Sequence, residues 1–165
     1  FFDESLEEHG KEIYKNPKWP TAPLFYLSAP SLTDPSVAPE GSENLFFLIP
    51  IAPDLVDDEA TREHYFNLLL DRLKHLTGND IKDNIVYKRS FSISNFKEDY
   101  HAFKGNAYGL ANTLKQTAIF KPQIKNKNLR NFYYTGQLTV PGPGVPPSII
   151  SGEVVANYIN QHAKK

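Results

Sequence analysis

Between Asn131 and Gly152 the sequence reads NFYYTGQLTVPGPGVPPSIISG: an aromatic run, a loop of Gly and Pro, then an apolar stretch with helical spacing. Glycines remove the side-chain barrier between backbone and ligand, and prolines fix φ. Pro141, Gly142, Pro143, Gly144 and Pro146 therefore describe a loop that stays open while another molecule approaches its peptide groups. Pro146 or Pro147 suits a first helical turn, where a missing N–H costs nothing. Ile150, Val154 and Tyr158 form one stripe and Ser151, Val155 and Ile159 its neighbour, which predicts a seated helix over 147–161. Its N-terminus offers free amides and a partial positive charge. Such an end suits the pyrimidine edge of a flavin, which gathers negative charge near N1 and the C2 carbonyl on reduction. A strand–glycine–helix unit also describes an ordinary tight turn, and both readings stand at this point. The dinucleotide fingerprint G-x-G-x-x-G is not formed, because Pro147 occupies the third glycine position.

Other chemistries find less support. His9, His64, His75, His101 and His162 lack metal-ligand spacing, so they read as surface or capping residues and no metal site is expected. The absence of Cys removes disulfides, thiolate catalysis and cysteine metal sites together. No G-x-S-x-G elbow or P-loop occurs. Asp57, Asp58 and Glu59 read as capping residues at a helix start, and no residue stands out as a catalytic acid or base.

The elements that must position the loop follow from pattern. The 165 residues, 40% of them hydrophobic, suit one compact domain with a packed core, and eleven Phe and nine Tyr make that interior aromatic. Residues 1–14 read as a helix end or a loop-rich entry. Pro23 to Ala29 and Leu45 to Ile51 read as buried strands, and Ile85 to Ile93 and Phe132 to Thr135 as further strands. The clearest helix runs over about 58–77. Asp57 or Asp58 caps it, Tyr65, Phe66, Leu69, Leu70, Leu73 and Leu76 recur at helical spacing, and Gly78 stops it. Phe96 to Phe103 reads as a short helix. The expected class is α/β, with α+β as the alternative: a mixed sheet flanked by helices.

Four separated motifs in fixed order carry a resemblance. They are Ser31 to Gly41 before a hydrophobic strand, Gly105 to Leu110, Leu114 to Pro122, and Tyr134 to Gly152. Together they resemble the C-terminal third of the bacterial-type phytoene desaturases and related carotenoid desaturases, over nearly the whole chain. The resemblance implies part of a two-domain fold like that of flavin amine oxidases. Residues 1–130 would belong to a polyene- and membrane-facing domain, and 131–165 would complete the FAD-binding domain. The N-terminal Rossmann half, whose fingerprint this chain lacks, would lie elsewhere in a longer protein. It further implies that Gly136 and Gln137 lie near the ribityl chain and pyrophosphate of FAD, and Gly144, Val145 and Pro146 against the isoalloxazine. Two departures matter: Leu138-Thr139-Val140 replaces a segment that carries a histidine in many relatives, and Lys121-Pro122 stands where many have Arg-Pro.

The implied activity is flavin-dependent desaturation of a carotenoid precursor, with hydride passing to flavin N5. The alternatives are a carotenoid cis–trans isomerase or retinoid-type relative, or, in another class, a non-catalytic domain that binds an apolar ligand or a protein. Among Phe25, Phe47, Tyr100, Phe103, Tyr108 and Phe120 as tunnel-lining candidates for a polyene, Tyr108 is favoured, because Gly105 and Gly109 flank it. Residues 1–80 hold 6 basic and 15 acidic side chains, and residues 81–165 hold 12 and 4. That asymmetry reads either as two mutually attracting halves or as a basic face for anionic lipid or a cofactor phosphate, made of Lys88, Arg89, Lys97, Lys104, Lys115, Lys121, Lys125, Lys127 and Arg130. The expected location is cytoplasmic and peripheral to a membrane. Nucleic acid is not an expected partner, and exposed apolar surface makes a homo-oligomer an option.

Overall fold

The computed structural model describes residues 1–111 and 113–162. Asn112 and the last three residues of the expected 131–165 segment lie outside the described residues. The chain divides into two compact units, Phe1–Ser94 and Asn95–Lys165.

In the first unit the opening segment is helical. Ser5 accepts the Glu8 N–H at 3.3 Å and starts α1 (Leu6–Tyr14), with Glu7 and Glu8 at its positive end. Helix α2 (Glu59–Thr77) follows its sequence signals closely. Asp58 caps it by accepting the Thr61 N–H at 2.8 Å, and Gly78, at φ 77°, ends it in the left-handed conformation that glycine adopts without strain. Tyr65, Leu69, Leu70 and Leu73 are its buried face, joined in the core by Leu24, Phe25, Ala52 and Ile93.

Strands β1 (Tyr26–Ser28) and β2 (Phe46–Leu48) pair antiparallel, Leu27 opposite Phe47. Both are shorter and less buried than the apolar runs predict: Tyr26 and Phe46 face solvent, while the buried part of the first run, Leu24 and Phe25, precedes the strand. Among the described residues this is the only sheet, so the expected mixed sheet is not found and helix predominates. The predicted strand over 85–93 is absent. Val86 and Tyr87 are 92% and 77% exposed, and no neighbouring strand meets their backbone. An alternating run becomes a strand only where a second backbone supplies the ladder.

His9 also departs from expectation. It is buried rather than at the surface: Nδ1 accepts the Leu24 N–H at 3.1 Å, so the ring proton sits on Nε2, which donates to the Pro50 carbonyl at 2.8 Å. One neutral imidazole thus ties α1 to the segments entering β1 and leaving β2. Asp57 and Arg62 form a largely buried pair at 2.7 Å, and Asp57 also accepts the Ser94 N–H at 3.0 Å. Burial pushes the Asp57 carboxyl up, but the Ser94 amide and the Arg62 guanidinium outweigh it and leave it below its ordinary value.

Helix α3 (Ile93–Tyr100) begins three residues before the predicted Phe96, at the end of the first unit. The second unit continues through 3₁₀ turns to α4 (Val145–His162), which starts two residues before the predicted Pro147. The predicted strand Phe132 to Thr135 is reduced to one bridge, Lys125 with Tyr133, flanked by Asn126 N–H to Phe132 O at 2.9 Å and Tyr134 N–H to Ile124 O at 2.7 Å. Asn126 closes this turn on itself by accepting the N–H groups of Asn128 and Leu129, which stops pairing after a single step.

Candidate functional site

The Gly/Pro loop and the start of α4 form one hydrogen-bonded unit. Gly136 donates its N–H to Ser151 Oγ at 2.7 Å, and Ser151 Oγ donates in turn to the Ser148 carbonyl at 2.6 Å. The Gly136 carbonyl accepts both the N–H and the hydroxyl of Thr139, at 3.1 and 2.9 Å. Ser151 and Thr139 are fully buried, so these bonds are shielded from competing water. The short polar side chains at 139 and 151 make the turn rigid; sequence reading placed Ser151 only on a helix stripe and gave Thr139 no role. The signal for them is small polar residues beside the loop where an apolar stripe would otherwise run.

Gly136, Gly142 and Gly144 have φ of 101°, 142° and 113°. At Gly144 a β-carbon would also press on Pro147 Cδ at 3.3 Å, so the backbone is bare where the helix begins. The N-terminus holds fewer donors than the sequence predicts. Pro146 and Pro147 have no N–H, and Ser148 gives its own to the Gly144 carbonyl at 3.0 Å. Val145 is the remaining residue of the first four of α4 that carries an N–H, and it is 75% exposed.

A cleft of about 380 Å³ opens over this point, lined by Tyr108, Gln137, Gly144, Val145, Ser148 and Ile149. It brings together Tyr108, Gln137, Gly144 and Val145 of the residues singled out in the sequence. Gly136 lies beneath it as a hinge of the hydrogen-bond network, and Pro146 is exposed on the helix without lining it. Tyr108 reaches the cleft because Gly109, at φ 80°, lies flat against Leu138: a β-carbon at 109 would come within 2.3 Å of Leu138 Cδ2. The Gly109 N–H is anchored on Asn106 Oδ1 at 2.6 Å. Exposed apolar walls and a backbone free of a β-carbon at Gly144 can receive a flat heteroaromatic ring.

The other candidates separate. Phe25 is core, its ring 4.8 Å from that of Phe1 and 6.0 Å from that of Phe47. Tyr100, Phe103 and Phe120 are exposed and do not line this cleft. Two of the nine cations are engaged within the protein: Lys88 pairs with Glu63 and covers the Phe66 ring, and Lys121 is buried. Among the described residues no group of three or more His, Asp or Glu side chains is placed to hold a metal.

No protein-family model matches the chain. Curated relatives do. The chain is 45% identical over 153 residues to a carotenoid 3,4-desaturase of Haloarcula japonica, covering 93% of this chain and 31% of that protein. It is 31% identical over 162 residues to a lycopene-forming phytoene desaturase of Paracoccus, covering 96% and 32%, and 31% identical to a 4,4'-diapolycopen-4-al dehydrogenase of Metabacillus indicus, covering 100% and 34%. The chain thus spans about a third of the length of the curated relatives it matches. Identity of 31–45% over 93–100% of the chain shows that it belongs to the family of carotenoid and phytoene desaturases.

Proposed function

We propose that the chain forms the cofactor- and substrate-facing part of an FAD-dependent enzyme that introduces double bonds into a carotenoid precursor such as phytoene. The observation that carries this reading is the cleft at the start of α4, where Gly144 and the exposed Val145 share a wall with Tyr108 and Ile149, in a chain whose relatives are named carotenoid desaturases. Bound FAD would supply the acceptor for the hydride removed from the polyene.

The residues of the chain have complementary tasks. The Val145 N–H donates to an acceptor at the ring edge, and the positive end of α4 favours charge gathering there. Gly144 lets the ring approach the backbone, with Pro146 behind it; Gly136 and Gln137 serve the ribityl and pyrophosphate side. Tyr108 and Ile149 exclude water and offer the polyene an apolar surface. Loss of two hydrogens from adjacent carbons balances as one hydride to the cofactor and one proton released; no residue of this chain is assigned as the base. The Rossmann part of the FAD site would come from the remainder of the polypeptide, with residues 1–130 on the substrate side and 131–165 on the cofactor side.

Among the described residues no helix is long and apolar enough to cross a membrane. A polyene substrate resides in lipid, so we place the intact enzyme at the cytoplasmic membrane surface, held in part by Lys115, Lys125, Lys127 and Arg130. Co-sedimentation with anionic vesicles that weakens in salt is the expected result; indifference to lipid charge and salt removes this part. For the function itself, the full-length protein should carry a flavin absorption band and convert phytoene to more conjugated products. A colourless preparation that gains no such band on adding FAD overturns it, and isomerised but unoxidised products would favour the isomerase reading.

A further inference from the structure

Lys121 is only 6% exposed, an unusual position for an ammonium, which loses strong hydration on burial. Its side chain runs to the Gly/Pro loop: a β-carbon at Gly142 would lie 3.4 Å from Lys121 Cε and 3.6 Å from Nζ. The same side chain shares a second cleft with Val140 of the loop and Tyr158 of α4. The loop's composition explains why a cation suits this place. From Val140 to Pro147 there are eight carbonyls but only four N–H groups, since residues 141, 143, 146 and 147 are proline. A segment with that excess of acceptors can take donors from outside itself, and an ammonium brings three donors and no acceptor. Gly142, at φ 142°, is itself buried against the lysine.

We propose that Lys121 is a positioning residue for the cofactor loop: its buried charge holds Val140–Gly144 in place and thereby sets the direction of the Val145 N–H. The inference rests on the reading of the cleft as a flavin site. It separates the roles of the two ends of one loop, with recognition at Val145 and restraint at Gly142. It also gives the charge at position 121 a task inside the protein rather than on a lipid-facing surface.

The test uses the full-length protein with Lys121→Met, which keeps length without charge, Lys121→Arg, which keeps charge, and Gly142→Ala. FAD affinity is measured by spectral titration of the deflavinated protein, alongside the position of the bound flavin's visible band and the thermal midpoint of the apoprotein. Lys121→Met is expected to weaken FAD by about tenfold or more and to move the band, with Lys121→Arg returning affinity to within roughly threefold of wild type. A Lys121→Met protein that binds FAD like wild type with an unmoved band overturns the proposal, as does a Lys121→Arg protein no better than Lys121→Met. Should Lys121→Met fail to fold, Gly142→Ala decides. It leaves the lysine in place but strains the backbone it restrains, so weakened FAD binding is expected and wild-type binding overturns the proposal. If wild type itself neither holds nor takes up FAD, the cofactor reading fails and this inference with it. If wild type binds and Lys121→Met binds equally well, only the inference fails.

Discussion

Ser151 and Glu12 show how single side chains hold this structure, one at the site and one far from it in sequence. Ser151 Oγ, itself buried, is the acceptor for the half-buried Gly136 N–H. Ser151→Ala orphans that half-buried amide and should cost about 1 kcal/mol in denaturant unfolding, because a donor shielded from water and left without its acceptor is penalised. In the full-length protein the same change should loosen FAD, since the loop loses its tie to α4; an unfolding midpoint equal to wild type would refute the account. Glu12 is held by the Lys18 ammonium at 2.9 Å and by the N–H and hydroxyl of Thr21, and these bonds outweigh its partial burial and lower its carboxyl from an ordinary 4.5 to about 2. A depressed carboxylate stabilises the fold above its unfolded value and ceases to do so as pH falls through the folded one. The contribution of Glu12 should therefore be complete above pH 4.5 and fade toward pH 2. Glu12→Gln should flatten that part of the stability–pH curve, and added salt should weaken the effect because Lys18 is half exposed. At this scale the loop glycines were legible in the sequence, because their types state backbone requirements. Ser151 and His9 were not, because their bonds to Gly136, Leu24 and Pro50 reach far along the chain. Thr139, which bonds locally to Gly136, was signalled only by a small polar type beside the loop.

Among the elements, α2 was readable to within a residue and the strands were not. Helix signals are local: Asp58 meets the Thr61 N–H, and Gly78 adopts φ 77°, both within one turn of the helix they end. Asp58→Ala should cost about 1 kcal/mol, and Gly78→Ala about the same by forcing a β-carbon into the left-handed region, each measured by thermal unfolding. Their effects should add, since the sites lie at opposite ends of a 19-residue helix. Strands depend on what lies beside them. The runs at 85–93 and 132–135 have the right alternation and aromatic content, yet among the described residues the first meets no pairing strand and the second pairs at one residue. The terminal helix was legible from its stripes, but its start was placed late because prolines at 146 and 147 look like an entrance; Val145 precedes them as the first helical residue. That difference matters for the proposed site, since it puts Val145 at the first helical position.

For the molecule as a whole, the chain's match to about a third of its relatives' length bears on what it can do by itself. Large apolar residues stand in solvent: Phe2, Val86, Leu114 and Ile119 are each more than 80% exposed. Large apolar side chains left in solvent in this way favour self-association. The chain expressed alone should self-associate with rising concentration in sedimentation measurements and should bind FAD more weakly than micromolar. A monodisperse chain with sub-micromolar FAD affinity would show that the cleft at α4 suffices without the rest of the polypeptide. The family was legible from four ordered motifs, whereas the division into two units and the burial of Lys121 follow from packing, which no motif encodes.

Trp19 is the sole tryptophan; its indole N–H donates to the Val56 carbonyl at 2.6 Å and its ring lies 4.7 Å from that of Tyr65. All intrinsic indole fluorescence therefore originates in one joint between the segment before β1 and the segment leading into α2. The emission is a private reporter of residues 1–94, silent about events elsewhere. A melting step seen in circular dichroism with no matching change in that emission would have to arise outside the Trp19 joint, and the chain needs no extrinsic dye for the distinction to be drawn.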